Sequence, residues 1–449
     1  MVYWPKNPTI TGSGIVRTAL KSSRVRVTPI PSMMIASPGV IHGRNHVNQA
    51  GSTRANPQQT KTHIGNALVN HPRIRDMEAD AEESIARAQP PPQHRRKCSN
   101  HSESRLSQLN VGLTVVVFSI PRLAPQMKIS AVAKPDTDTN LRTLAQIGVR
   151  HQCYYRMEGM PTDRKGLQAA KDKAEKNGLQ LSIIEGGPPI DQIVMGKDGR
   201  DAQIEDYKRA LELMGQFGIK TLCYNFMPQV TADAMVMRTS FETEERGDAR
   251  TNSFRLADFY NDRMTDEGIV TDEHMWDNLD YFLKRIIPAA EAAEVNLAMH
   301  PDDPPLSPMW NLARIMRSVE NYDRLFAMHP SAVNGLTFCQ GCFAELGVDI
   351  DETIRHFGER IHFAHFRDVA GTLEDFHETF PDNGPTDAVS MLKTYREIGY
   401  DGFIRVDHVP YLAIDDSTGH GYGLPGHIFA IGYLRGLMEP IFGKTDHQP

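Results

Sequence analysis

The sequence predicts an α/β protein, a (β/α)8 TIM barrel preceded by a long N-terminal extension, and three observations carry that expectation. From Met127 onward, short apolar runs rich in β-branched and aromatic residues alternate with longer stretches of helical period. Eight such β-then-α units fit before the end of the chain. No G-x-G-x-x-G follows the first strand, which counts against a dinucleotide-binding sheet and leaves an open doubly wound sheet as the competitor.

The chain opens on a segment unlike the rest. Residues 1–126 hold sixteen Lys and Arg against six Asp and Glu, a balance of +10, with no acid before Asp76. Gly, Pro, Ser, Thr and Asn are frequent there and neither period persists, so the segment lacks the apolar surface to offset its ordering entropy. Disorder in solution is the expectation. A transit peptide, or translation starting at Met127, would leave the same composition. The whole chain carries −7, so residues 127–449 carry −17. A body that acidic has no general attraction for nucleic acid. The longest apolar run, 111–120, is too short to span a bilayer. The five cysteines (Cys98, Cys153, Cys223, Cys339 and Cys342) are odd in number and sparse, which excludes a disulfide framework. Cys339 and Cys342 make a C-x-x-C without the second pair of a zinc site or thioredoxin-like flanks.

The catalytic domain is expected at 127–449. Its first unit is a strand at 128–133 and a helix at 137–147, and the second is 149–155 with 163–177. The third pairs 179–185 with 203–217 and the fourth 220–226 with 272–294. Glycine turns in NGLQ and FGIK end helices ahead of strands, as a residue just past a helix should. The interval 228–271 is too long and too charged for an ordinary βα loop and reads as an insertion over the C-terminal face. The fifth unit pairs 295–300 with 312–318, the sixth 335–339 with 349–357, the seventh 361–367 with 387–397 and the eighth 402–407 with 427–438.

The last four strands end in chemistry. The fifth ends at His300, where the prolines of HPDDPP forbid a regular continuation. The sixth ends at Cys339, the seventh at His365 and the eighth at Asp407. In a barrel, residues ending different strands converge on one mouth. Two imidazoles, a thiol and a carboxylate suit a divalent first-row metal with open positions for substrate. Each residue has a plainer reading as core or as a satisfied polar group, but four such coincidences at successive strand ends are less probable than one. His362 shares a strand with His365 at the opposite parity, so only one faces the mouth. Cys342 is the alternative thiol. Asp302 and Asp303 could orient His300 or cap the helix at 312–318.

YNFMP (224–228), MHPDDPP (299–305), NGLTFC (334–339), HFAHFRD (362–368), VDH (406–408) and IGYLRGL (431–437) together resemble the mannonate dehydratase family, in its order and across about 127–440. The resemblance implies a TIM barrel related to the xylose isomerase-like group. It implies conversion of D-mannonate to 2-dehydro-3-deoxy-D-gluconate and water in hexuronate catabolism, with Mn2+ or Fe2+ as cofactor. The family's metal ligands fall on His300, Cys339, His365 and Asp407. Its catalytic histidine falls on His408, and its tyrosine on Tyr422 in GHGYGL, with His427 and Tyr411 as rivals. The family's DHGH is DHVP here, and PGHIFA stands inserted before IGYLRGL.

Arg367 occupies the family's H-x-R position, suited to pair with a substrate carboxylate unless it pairs with a nearby acid. Asn225, Glu185 and Arg238 are further substrate-binding candidates. The implied partner is a small sugar acid, in a cytoplasmic enzyme (organellar if the extension is a transit peptide) that assembles as a homodimer or larger. A xylose isomerase-like isomerase or epimerase is the runner-up, since enediolate chemistry and a divalent metal serve both. A barrel that only binds sugar acids without turnover is the reading from another class.

Overall fold

The computed structural model describes residues 126–444, except 157–158, 229–236, 260–264 and 416–420. The expected extension therefore lies outside the described residues, save for Gln126. In chain order the strands are β1 (Lys128–Ala131), β2 (His151–Tyr155), β3 (Gln180–Glu185), β4 (Thr221–Tyr224), β5 (Ser240–Glu245), β6 (Ala249–Arg255), β7 (Asn296–Met299), β8 (Asn334–Cys339), β9 (Ile361–Phe366), β10 (Asp368–Thr372), β11 (Asp375–Thr379) and β12 (Phe403–Val406). The α-helices are α1 (Asp138–Gln146), α2 (Arg164–Lys176), α3 (Asp191–Val194), α4 (Arg200–Gln216), α5 (Asp272–Ala293), α6 (Val319–Met328), α7 (Gln340–Glu345), α8 (Ile350–Phe357), α9 (Ala388–Glu397) and α10 (Leu424–Phe442).

Eight strands close into a barrel in the order β1-β12-β9-β8-β7-β4-β3-β2, every ladder parallel. Each lies within or at the edge of the run that the sequence marks as a strand. Local chemistry sets the helix ends. Thr137, Asp163, Thr271, Asp349 and Asp387 accept from first-turn amides of the helices they precede. Gly178 and Gly218 take φ of 85° and 74°, the left-handed geometry expected of NGLQ and FGIK. Alternation along the strands builds two cores. Val132, Cys153, Ile183, Cys223, Ala298 and Phe363 form an apolar cluster with the ring of Tyr422, and a larger apolar shell joins strands to helices.

Two features differ from the sequence expectation. The helix expected at 312–318 is absent. Leu312 bridges to Met309 and Val270, and the backbone of Asp302 donates to Met316 O at 2.9 Å. The backbone of this stretch pairs with neighbouring loops instead of with itself, and the helix starts later, at α6, capped by Ser318. The second difference is an accessory antiparallel sheet, β10-β11-β6-β5. Its β5–β6 hairpin comes from the interval 228–271, and β10–β11 follows β9, where no strands were expected. The halves join through Asp375–Arg255, Phe376–Phe254 and His377–Ser253.

Candidate active site

The four strand-end residues meet. One donor atom from each of His300, Cys339, His365 and Asp407 lies within 4.8 Å of the others. Ladder register produces this: Cys339 is the partner of His365, and the backbone amides of His300 and Asp407 bond to Tyr224 O and Phe366 O one position past β7 and β12. His300 Nε2 lies 3.2 Å from His365 Nδ1, and Asp407 Oδ2 lies 3.8 Å from both His365 Nδ1 and Cys339 Sγ. Atoms that share one ion at about 2.0–2.3 Å sit roughly 3–4.6 Å apart, so the spacing suits a common cation. His300 Nδ1 lies 2.7 Å from Pro301 O and can only donate to it, which leaves Nε2 to offer a lone pair when the ring is neutral. His362, at the other parity, turns away and bonds through Nδ1 to Leu297 O at 3.2 Å.

Electrostatics agree with the geometry. Burial alone would lower the His300 imidazole, but the Cys339 thiolate with Asp407 and Glu185 raises it to about 9. Burial would raise Cys339, yet a Cys342 hydrogen bond and the charges of Arg367 and His300 hold it well below the ordinary thiol range. Asp407 is likewise held low despite burial, by His408, Arg405 and His365. A concentrated set of anionic and imidazole donors with this field fits a divalent cation.

His408 follows Asp407 and lines the same cavity, about 260 Å³, with Tyr155, Glu185, Asn225, His300 and Tyr422. Its Nδ1 lies 2.8 Å from Glu378 Oε1. Tyr422 donates its hydroxyl to Asp407 Oδ1 at 3.0 Å and packs edge-on to His408. Burial, then Asp407, pushes the Tyr422 phenol well up, so it stays protonated. Of its rivals, His427 bonds through Nε2 to Gly421 O and is lowered to about 4 by burial, and the Tyr411 hydroxyl accepts from the Gly421 amide. Neither is tied to the donor set by a bond of its own.

Several of the candidate residues are engaged by the protein's own groups. Arg367 is fully buried and pairs with Asp303 at 2.7 Å and with Glu345, so its guanidinium serves protein carboxylates. Arg238 grips Asp303 through Nη1 and Nη2 (2.8 and 3.0 Å) and Glu378 at 2.7 Å. Neither is among the residues that line the cavity, though Asp303, which both hold, is. Glu185 does line the cavity, but Arg405 holds both of its oxygens, at 2.6 and 2.8 Å. Asn225 lines it and accepts from the Met227 amide at 3.2 Å. Asp302 accepts from the Met316 amide and Asp303 serves the two arginines, so neither orients His300 or caps a helix at 312–318.

Sequence reasoning missed Arg405, Glu345 and Glu378. Arg405, on β12, sits two residues before Asp407 and at the same parity, a signal that could have found it. Glu378 lies on a strand no periodicity announced.

The sequence profile of the D-mannonate dehydratase (UxuA) family matches residues 161–255 and 251–447. Mannonate dehydratase 2 of Halalkalibacterium halodurans is 34% identical over 307 residues, 62% of this chain and 87% of that one. The mannonate dehydratase of Thermotoga maritima is 36% identical over 318 residues, 61% and 85% of the two chains. The crystal structure of a mannonate dehydratase from Streptococcus suis serotype 2 superposes with a TM-score of 0.65 at 28% identity, over 72% of this chain and 96% of that one.

Proposed function

The chain belongs to the D-mannonate dehydratase family, and from that premise we propose that His300, Cys339, His365 and Asp407 hold Mn2+ or Fe2+, beside which His408 and Tyr422 move the protons of the reaction. The enzyme is a metal-dependent hydro-lyase that converts D-mannonate to 2-dehydro-3-deoxy-D-gluconate and water, within glucuronate catabolism. The observation that carries the residue assignment is the convergence of four donors within 4.8 Å of one another, two of which, His300 and Asp407, line the same cavity as His408 and Tyr422.

When bound, the ion supplies Lewis-acid stabilisation of the charge that grows on the substrate carboxylate. His408 faces the cavity and takes the proton from C2. Tyr422, kept protonated by burial and Asp407, gives its proton to the departing C3 hydroxyl, which leaves as water. The enol left between C2 and C3 takes a proton at C3 and gives up the one on its C2 hydroxyl, so that the 2-keto product forms with no net proton change. Arg405 neutralises Glu185 and Asp407 and keeps both oriented toward the cavity. No described helix is long and apolar enough to cross a membrane. Cytoplasmic action on a free sugar acid, as a homodimer or larger, completes the proposal.

The test is turnover of D-mannonate by protein purified anaerobically with Mn2+ or Fe2+, read as appearance of a 2-keto-3-deoxy acid. EDTA should abolish product. His408→Ala and Tyr422→Phe should each lose at least a hundredfold in kcat while keeping one metal per chain. Product formation by His408→Ala at the parental rate would refute the assignment.

A further inference from the structure

The accessory sheet brings a carboxylate to the barrel mouth that the proton transfers above do not use. Glu378 on β11 is fully buried, and its Oε1 lies 2.8 Å from His408 Nδ1. An ionised carboxylate can only accept, so Nδ1 carries the proton in that bond; Arg367 Nη1, a donor, stands farther from the same nitrogen, at 3.5 Å. The other imidazole nitrogen, Nε2, is then the atom left to meet substrate. It lies 3.8 Å from Asp407 Oδ1, beyond hydrogen-bond reach.

Glu378 is itself held from both sides. Its Oε1 accepts from Arg238 Nε at 3.2 Å and Nη2 at 2.7 Å, and its Oε2 accepts from Asn252 Nδ2 at 2.9 Å. Asn252 lies on β6 and Arg238 just before β5. The plainer account makes Glu378 a counterion for Arg238, but Asp303 already engages that guanidinium through two bonds. What Glu378 adds is the contact with His408.

We propose that Glu378 is a positioning residue for the dehydration. It fixes the ring orientation and tautomer of His408, so that the accessory sheet completes a barrel site whose four-donor set comes from strand ends. This rests on the reading of His408 as the group that takes the C2 proton. The arrangement follows a general rule: an imidazole base works when a buried carboxylate fixes the proton on its far nitrogen.

The experiment compares Glu378→Gln, Glu378→Asp and His408→Ala in the metal-loaded enzyme, measuring kcat, KM for D-mannonate, bound metal and the melting temperature. Glu378→Gln is expected to lose at least tenfold in kcat, with KM within threefold and one metal per chain. Glu378→Asp keeps the negative charge beside Arg238 and so keeps the fold readable if the Gln variant fails to accumulate. Its shorter side chain is expected to cost kcat as well, by less. Exchange of the C2 hydrogen with solvent should fall in step with kcat. Parental kcat in either variant overturns the proposal, as does a loss carried wholly by metal content or by KM. If His408→Ala itself turns over normally, it is the reading of His408 that falls. If His408→Ala is inactive while Glu378→Gln matches the parent, only the role of Glu378 falls.

Discussion

Gly341, in the C-Q-G-C run, offers a sharp test of how the buried charges are packed. It lies in α7, fully enclosed, and a Cβ built on it would meet Arg367 Nε at 2.0 Å and Cζ at 2.7 Å. Real atoms do not approach so closely, so Gly341→Ala must displace the guanidinium. Arg367 cannot move far without leaving Asp303 and Glu345, both buried. Breaking a buried pair costs about 3–5 kcal/mol, because a charge stays behind without its partner. Against this stands the gain of replacing a helical glycine with alanine, about 1 kcal/mol. The net expectation is a loss of roughly 2–4 kcal/mol. Gly432 in α10 is the control: it is exposed, nothing lies within 4 Å of its added Cβ, and only the helix gain applies. Denaturant unfolding of the two variants should therefore move in opposite directions, Gly432→Ala up by about 0.5–1 kcal/mol and Gly341→Ala down. If Gly341→Ala is as stable as the parent, Arg367 is not locked in its place and the account of the buried network is wrong.

Four further outcomes are expected. Replacing Arg405 with Met leaves half-buried Glu185 and fully buried Asp407 without the fork that now holds them, and should cost about 3 kcal/mol in equilibrium unfolding, the low end for a broken buried pair. Arg405→Lys should recover only part, since one ammonium cannot reproduce two parallel bonds. Cys339→Ser should lower the metal bound per chain under elemental analysis. Stripping metal from the parent should lower its melting temperature, because a ligand at a hundred times its Kd adds about 2.7 kcal/mol to the folded state. His362 has a folded-state pKa lowered to about 4, chiefly by burial, against an ordinary 6.5. Its neutral form is the one that fits. The stability it contributes is complete above pH 6.5 and is lost as pH falls toward 4, by about 3 kcal/mol at most. His362→Gln should flatten that part of the stability–pH curve, and an unchanged curve would refute the assignment.

The four residues proposed to hold the metal were legible as a converging set because each is a local signal. His300, Cys339, His365 and Asp407 each sit where an apolar run stops, and the barrel brings such ends together whatever the loops do. The helix caps at Thr137 and Asp163 and the turns at Gly178 and Gly218 are equally local, and the sequence located them to within a residue or two. The pattern failed at 312–318. That stretch reads as a helix by composition, but its backbone groups pair with Asp302, Met309 and Val270.

The sequence by itself determined the order of the eight barrel strands, and with it which strand-end residues meet. That information is carried by period and punctuation, over spans no longer than one element. Only the tertiary structure decided which charge meets which. Arg367 finds Asp303 across 64 positions, Arg238 finds Glu378 across 140, and Arg405 finds Glu185 across 220. A buried charge must be paired, but nothing in its own neighbourhood says with what. Arg367 and Arg238 have internal carboxylate partners for that reason, and the carboxylate behind His408 came from a sheet that only two distant loops together could form.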